Sequence, residues 1–244
     1  MNYYIDTEFF EGFVNPLWGK RRHFIDLISI GIVSGDGREY YEISSDFEVA
    51  RAWYNADTWV RDNVLLPIVF ECSYKEHFIG TPSEGVYQSW ADGVKEAPQW
   101  ETFWYHRAVF YFKKYGKKNS VIASEIVLFV YRGAAVKTAE EWGKNVKFDF
   151  YGYYADYDWV LLCSLFGRMV DLPTGFPMFC RDLQQTKQEL EDALDRPGTD
   201  IDYNLNEDSD YPQQTGQHNA LQDARWNKQL HEFLLKYRER QKNN

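Results

Sequence analysis

Near its start the chain carries apolar residues in short blocks separated by turn signals, a pattern that predicts strands. Residues 3–10 (YYIDTEFF), 23–34 (HFIDLISIGIVS) and 38–44 (REYYEIS) are such blocks. The Gly-Asp-Gly at 35–37 is a turn signal, so the blocks read as an antiparallel meander. The rhythm then becomes helical. Trp53, Trp59, Val60, Val64 and Leu65 recur at helical spacing within residues 46–69, and Pro67 is expected to close that stretch. From about 73 to 119 the pattern breaks up. Gly80, Pro82, Gly85, Gly93 and Pro98 precede the aromatic run WETFWYHRAVFYFKKYGKK, which predicts an insertion or elaborated loop with a short helix. Residues 120–133 resume a helix. Residues 148–154 read as a strand, 159–166 as a helix, 176–183 as a short strand or extended link, and 183–194 as a helix. Residues 195–217 are acidic and turn-rich, a surface loop. The last helix places Leu221, Trp226, Leu230, Phe233, Leu234 and Tyr237 on or near one side. The chain carries no internal repeat. This order predicts an α/β protein with a mixed sheet, taken as one domain over 1–244 with an insertion.

Composition narrows the functions open to such a fold. The 244 residues are 44% hydrophobic and 18% aromatic, enough for a substantial core. A net charge of −10 argues against a broad, sequence-blind grip on nucleic acid. It leaves open a local groove, or an acidic site that works through bound cations. Cys72, Cys163 and Cys180 form no CxxC pair and no zinc pattern, which suits a reduced, cytoplasmic compartment. The start lacks the regions of a signal peptide, and the apolar stretches are too short to span a bilayer, so no membrane is expected.

Against that background three groups of residues stand out. Asp6 and Glu8, at i and i+2, share one face of the first strand among Tyr4, Ile5, Phe9 and Phe10. Other acid pairs have this spacing: Asp156 and Asp158, Glu189 and Glu191, Asp200 and Asp202, Asp208 and Asp210. The last three of these lie in polar segments and need no explanation. Buried like charges are tolerated when a divalent cation neutralises them, and the alternative is a strand whose polar face meets water. Asp158 follows an aromatic strand and opens a helix, where an acid also serves as an ordinary cap; Asp156 is its rival for any functional role. In HNALQDAR, Asn219 can cap the last helix, with His218 just outside and Asp223 one turn in. His218 could lean over a site that Asp223 faces, or be purely structural.

Taken together, Asp-x-Glu on the first strand, Asp at a strand-to-helix junction and His-x4-Asp entering the last helix resemble the DEDDh family of 3′-5′ exonucleases. The resemblance implies an RNase H-like fold, a mixed five-stranded sheet flanked by helices. The stretches YYIDTEF, LISIGIVSGDGREYYEIS, WVRDNVLLPI, YYADYDWVLLCSLFG and HNALQDARWN look like the bacterial exoribonuclease subfamily described as acting on polyadenylate. Similar proteins occur in phages and in antiphage defence loci. The departures are residues 73–119 and the acidic loop before His218.

By that resemblance, Asp6, Glu8, Asp158 and Asp223 hold two divalent cations, Mg2+ or Mn2+, and clamp a phosphodiester. Asp6 would bridge both ions, Glu8 and Asp223 would complete the first site, and Asp158 would hold the second. His218 would be the general base toward water, and 5′-mononucleotides would leave the 3′ end of a single strand, RNA before DNA. Thr7, Phe9, Phe10 and Asn219 are the candidate substrate contacts. Phe9, Phe10 and Phe13 could stack bases or pack in the core. The basic patches GKRRH (19–23) and KKYGKK (113–118) could follow a phosphate backbone or be solvated turns. Relatives of this kind are often dimers, which leaves a homodimer open. The competing expectations are a DNA-directed exonuclease, a non-catalytic nucleic-acid-binding module, and a protein that docks a partner through its aromatic insertion.

Overall fold

A computed structural model of the chain describes residues 1–14, 19–78, 84–96, 99–133, 147–194 and 203–243. Its centre is a five-stranded sheet in the order β3-β2-β1-β4-β5. The strands are β1 (Asn2–Val14), β2 (Arg22–Ser34), β3 (Glu39–Ile43), β4 (Asp149–Gly152) and β5 (Arg181–Asp182). The expected meander is present. The Ser34 N–H donates to Arg38 O at 2.9 Å across a tight turn, which can join only antiparallel neighbours. At the two ends of β1, Asn2 O accepts from Gly35 N at 2.8 Å and Gly12 lies against Phe24, so β1 and β2 also run antiparallel. In contrast, β4 pairs parallel with both β1 and β5. The sheet is therefore mixed.

By its internal contacts the chain divides into two compact units. The first comprises Met1–Thr7, Ile30–Tyr41 and Ala123–Asn244. It contains α5 (Asn119–Gly133) from Ala123 onward, α6 (Asp156–Ser164), α7 (Leu183–Leu194) and α8 (Ala220–Asn243). The alternation of β1 sorts its side chains between helices. Tyr3 donates to Val130 O of α5 at 2.7 Å, and Tyr4 OH lies 2.9 Å from Nδ1 of His231 on α8. Parity therefore sends Asp6 to the α8 side with Tyr4. Gly31 lets α8 approach the sheet: a Cβ there would lie 2.1 Å from Ala220 O.

Residues 203–217 of the expected acidic loop are pinned to this unit, while 195–202 lie outside the described residues. Leu205 is buried with Leu183, Trp226 and Leu230. Its N–H donates to Glu191 at 2.8 Å, and Glu191 also pairs with Lys187 at 3.0 Å, both side chains being buried. Burial of that ion pair is tolerated because the carboxylate is paired and hydrogen-bonded at once.

The second unit comprises Glu8–Ser29 and Glu42–Ile122. Here the structure departs from the pattern expected of the sequence. Pro67 does not end a helix. α1 (Val49–Trp53) stops early, a π turn covers Arg61–Leu65, and α2 (Leu66–His77) continues it with Pro67 in its first turn. The missing proline N–H falls where the hydrogen-bond register is already changing, so it costs little. Beyond α2, the segment expected as a loop with a short helix holds two full helices, α3 (Glu84–Glu96) and α4 (Trp100–Tyr115). Residues 79–83 and 97–98 lie outside the described residues. α4 packs on α2 and α3, with Trp90 edge-on to Trp104 at 4.7 Å and Phe47 edge-on to Phe112 at 4.9 Å. Among the described residues, no helix is long and apolar enough to cross a membrane.

Candidate functional site

Strand β1 supplies the first acids. Asp6 and Glu8 point the same way because they are two residues apart on one strand. Helix α8 supplies the next. Asn219 Oδ1 accepts from the N–H groups of Leu221 and Gln222, both at 3.2 Å, and so caps the helix. The residue before it, His218, is left-handed at φ 66°, a conformation uncommon outside glycine. That conformation points its N–H back at Asp223, which accepts it on Oδ2 at 2.9 Å. The other oxygen, Oδ1, accepts from Nε2 of Gln214 at 2.6 Å. Gln214 is steadied in turn by Nε2 of Gln217 at 3.3 Å. Both oxygens of Asp223 are thereby aimed.

Oxygens of Asp6, Glu8 and Asp223 lie within 4.8 Å of one another. Glu8 and Asp223 are buried, and Asp6 is half-buried. Such a group of like charges is unfavourable without a cation, and an all-oxygen donor set matches hard divalent ions. The residues therefore fit the metal that the sequence resemblance implies.

Asp158 is not part of that trio. It sits in the first turn of α6, which begins at Asp156 rather than at Trp159 as the sequence suggested. It does not cap its helix. Instead Oδ1 accepts from both the N–H of Thr7 (2.9 Å) and its hydroxyl (2.6 Å). Thr7 thus ties Asp158 to the strand residue between Asp6 and Glu8. Burial pushes the Asp158 carboxyl up to about 6; Thr7 opposes this, and the charges of Asp223 and Asp182 add to it. Burial also raises the Asp223 carboxyl, against the pull of the Gln214 and His218 hydrogen bonds.

The aromatic candidates fall in different places. Phe10 is buried against Phe24 with ring centres 5.5 Å apart, and Phe9 is half-buried. Phe13 is 52% exposed, with the Arg21 guanidinium 3.7 Å from its ring centre, so the GKRRH patch and this ring form one surface feature.

Three supporting residues were missed by sequence reasoning. Gln214 lies in a polar loop and carries no local signal. Asn227 donates from Nδ2 to Ile5 O at 2.9 Å and is buried, fixing β1 just before Asp6; a polar residue among the apolar positions of α8 was its only trace. Asp182 accepts from Ala155 N at 2.8 Å and from Gln185 N at 2.9 Å, so it caps α7 and holds the start of α6 together. Its place just before a helix, in FCRDLQQ, was a readable N-cap signal.

Comparison with known proteins addresses what such an arrangement serves. The family described as "3'-5' exoribonuclease Rv2179c-like domain" matches residues 1–235. The 3'-5' exoribonuclease Rv2179c of Mycobacterium tuberculosis (strain ATCC 25618 / H37Rv) is 29% identical over 185 residues, covering 76% of this chain and 73% of its own. The 3'-5' exoribonuclease MT2234.1 of strain CDC 1551 / Oshkosh matches to the same extent. With nearly its whole length matched, the chain belongs to the Rv2179c-like 3'-5' exoribonuclease domain family.

Proposed function

We propose that the protein is a metal-dependent 3′-5′ exoribonuclease of the DEDDh type on an RNase H-like fold, releasing 5′-mononucleotides from single-stranded RNA. The observation that carries this reading is the convergence of Asp6, Glu8 and Asp223 oxygens within 4.8 Å. Asp6, Glu8 and Asp223 would hold one divalent cation and Asp158, with Asp6, a second. When bound, the cations supply Lewis-acid stabilisation to the phosphodiester and its leaving oxygen.

The chain's own residues do the rest. The carboxylates must be ionised to act as ligands, and two devices favour that form. Thr7 donates two hydrogen bonds to Asp158, and Gln214 with the His218 N–H donates two to Asp223. His218 would take the proton of the attacking water through its ring. Its left-handed backbone lets the main-chain N–H hold Asp223, and the ring of the same residue would serve as the base.

The test is a product analysis on matched, 5′-labelled RNA and DNA single strands, with magnesium or with chelator. A ladder shortening from the 3′ end of RNA, with mononucleotide release only in magnesium, supports the reading. Degradation of DNA alone, or full activity in chelator, contradicts it.

A further inference from the structure

Helix α4 carries a feature that the proposed reaction does not use. Ala108, Tyr111 and Phe112 are buried and define its inner face, so the outer face should be polar. Instead Phe103 and Phe110 on the outer face are each 53% exposed. They stand about 10.5 Å apart along the axis, two turns on one stripe. Helical geometry brings His106, Arg107, Lys113 and Lys114 to the same face. The Arg107 guanidinium lies 5.3 Å from the Phe103 ring centre, and the Lys114 ammonium 5.5 Å from that of Phe110. Glu76 pairs with Lys114; among the described residues, Arg107 and Lys113 have no carboxylate partner. Residues 100–118 hold five Lys and Arg against one acid, Glu101, in a chain of net charge −10. Glu101 is itself engaged with Arg61 at 2.6 Å. At the start of the stripe, Phe103 borders a cavity of about 820 Å³ shared with Trp90, Trp100 and Trp104 and edged by Gln99 and Thr102.

We propose that this face of α4, with the tryptophan-lined cavity at its head, is a binding site for single-stranded RNA. The bases stack on Phe103 and Phe110 and enter the cavity, while Arg107 and Lys113 meet the phosphates. Alternating rings and cations suit such a strand, because stacking tolerates any base and each neutralised phosphate releases a counterion. A second copy of the chain fits less well. A two-fold contact sets the same patch against itself, which would oppose these cations with their own equivalents. The choice of RNA over other polyanions rests on the function proposed above.

The experiment is fluorescence-anisotropy titration of the full chain with labelled single-stranded RNA in chelator, so that no hydrolysis is needed. One variant carries Phe103→Ala and Phe110→Ala, another Arg107→Glu and Lys113→Glu. These exposed positions should leave the melting temperature unchanged. We expect each variant to bind at least about tenfold more weakly, and the charge variant to show a shallower salt dependence. RNA bearing photoreactive thiouridine should cross-link to peptides of α4. Unchanged affinity in both variants, or cross-links that avoid α4, overturns the proposal. So does loss of self-association in sedimentation with RNA affinity intact, which would assign the face to a second copy. Hydrolysis in magnesium is scored separately, so failure of the nuclease reading leaves this result readable.

Discussion

The acids do not act alone; two of the buried carboxylates, Asp223 and Asp158, are aimed by neighbours. Asp223 is held by Gln214 and by the His218 main chain, and Asp158 by Thr7. Residues that orient a ligand typically cost about 10- to 100-fold in metal affinity when removed. Gln214→Ala should therefore weaken Mn2+ binding by about tenfold while the protein stays folded, as read by calorimetric titration; unchanged affinity would remove Gln214 from the site. Thr7→Val should act through Asp158. Losing the hydroxyl removes an interaction that lowers this carboxyl, so its pKa rises above the present value of about 6. The ionised form then needs a higher pH, and the acid limb of the activity profile should move upward. A limb that stays in place would mean that Asp158 does not set it. Much of this scale was legible. Strand parity put Asp6 and Glu8 on one face, and Asn219 announced the start of α8. Gln214 was not legible, because its role comes from a fold-back of nine residues that no local pattern encodes.

Among the elements, α8 was readable because its burial follows the helical period, and β1 and β2 because they are apolar blocks bounded by turn signals. The helices of residues 73–119 were not. Their apolar residues sit on both faces of α4: Phe103 and Phe110 outside, Tyr111 and Phe112 inside, so no clean helical stripe remained. Pro67 misled for a different reason: it sits in the first turn of α2, just after a π turn, where a missing N–H costs little. The packing of α8 on the sheet depends on Gly31, where a Cβ would lie 2.1 Å from Ala220 O. Gly31→Ala should push the start of α8, and Asp223 with it, off the sheet. We expect a loss of about 1–3 kcal/mol in urea denaturation together with a fall in activity. Wild-type stability and activity would show that the helix start tolerates displacement.

At the scale of the whole molecule, a net charge of −10 coexists with buried acids in the site. Burial of Asp158 sets how stability should vary with pH. Its folded pKa, about 6, lies above the ordinary 3.8, so the folded state binds this proton more tightly than the unfolded chain. Its favourable contribution is complete below about pH 3.8 and is lost as pH rises through about 6. Asp223 is shifted in the same direction. In chelator the drop in melting temperature from pH 5 to pH 7 should therefore be larger in the wild type than in Asp158→Asn. With Mn2+ present the trend should flatten or reverse, because the cation binds the ionised folded form. A melting temperature that does not respond to Mn2+ at pH 7 would contradict a cation site.

The central claim is that Asp6, Glu8 and Asp223 together hold the cation on which RNA hydrolysis depends. It is tested most directly by the magnesium-dependent rate of mononucleotide release from single-stranded RNA, comparing wild type with Asp223→Asn. The substitution keeps size and the possibility of hydrogen bonding but removes the charge. At least a hundredfold loss of rate is expected, with the melting temperature retained in chelator. A variant that degrades RNA at the wild-type rate would contradict it.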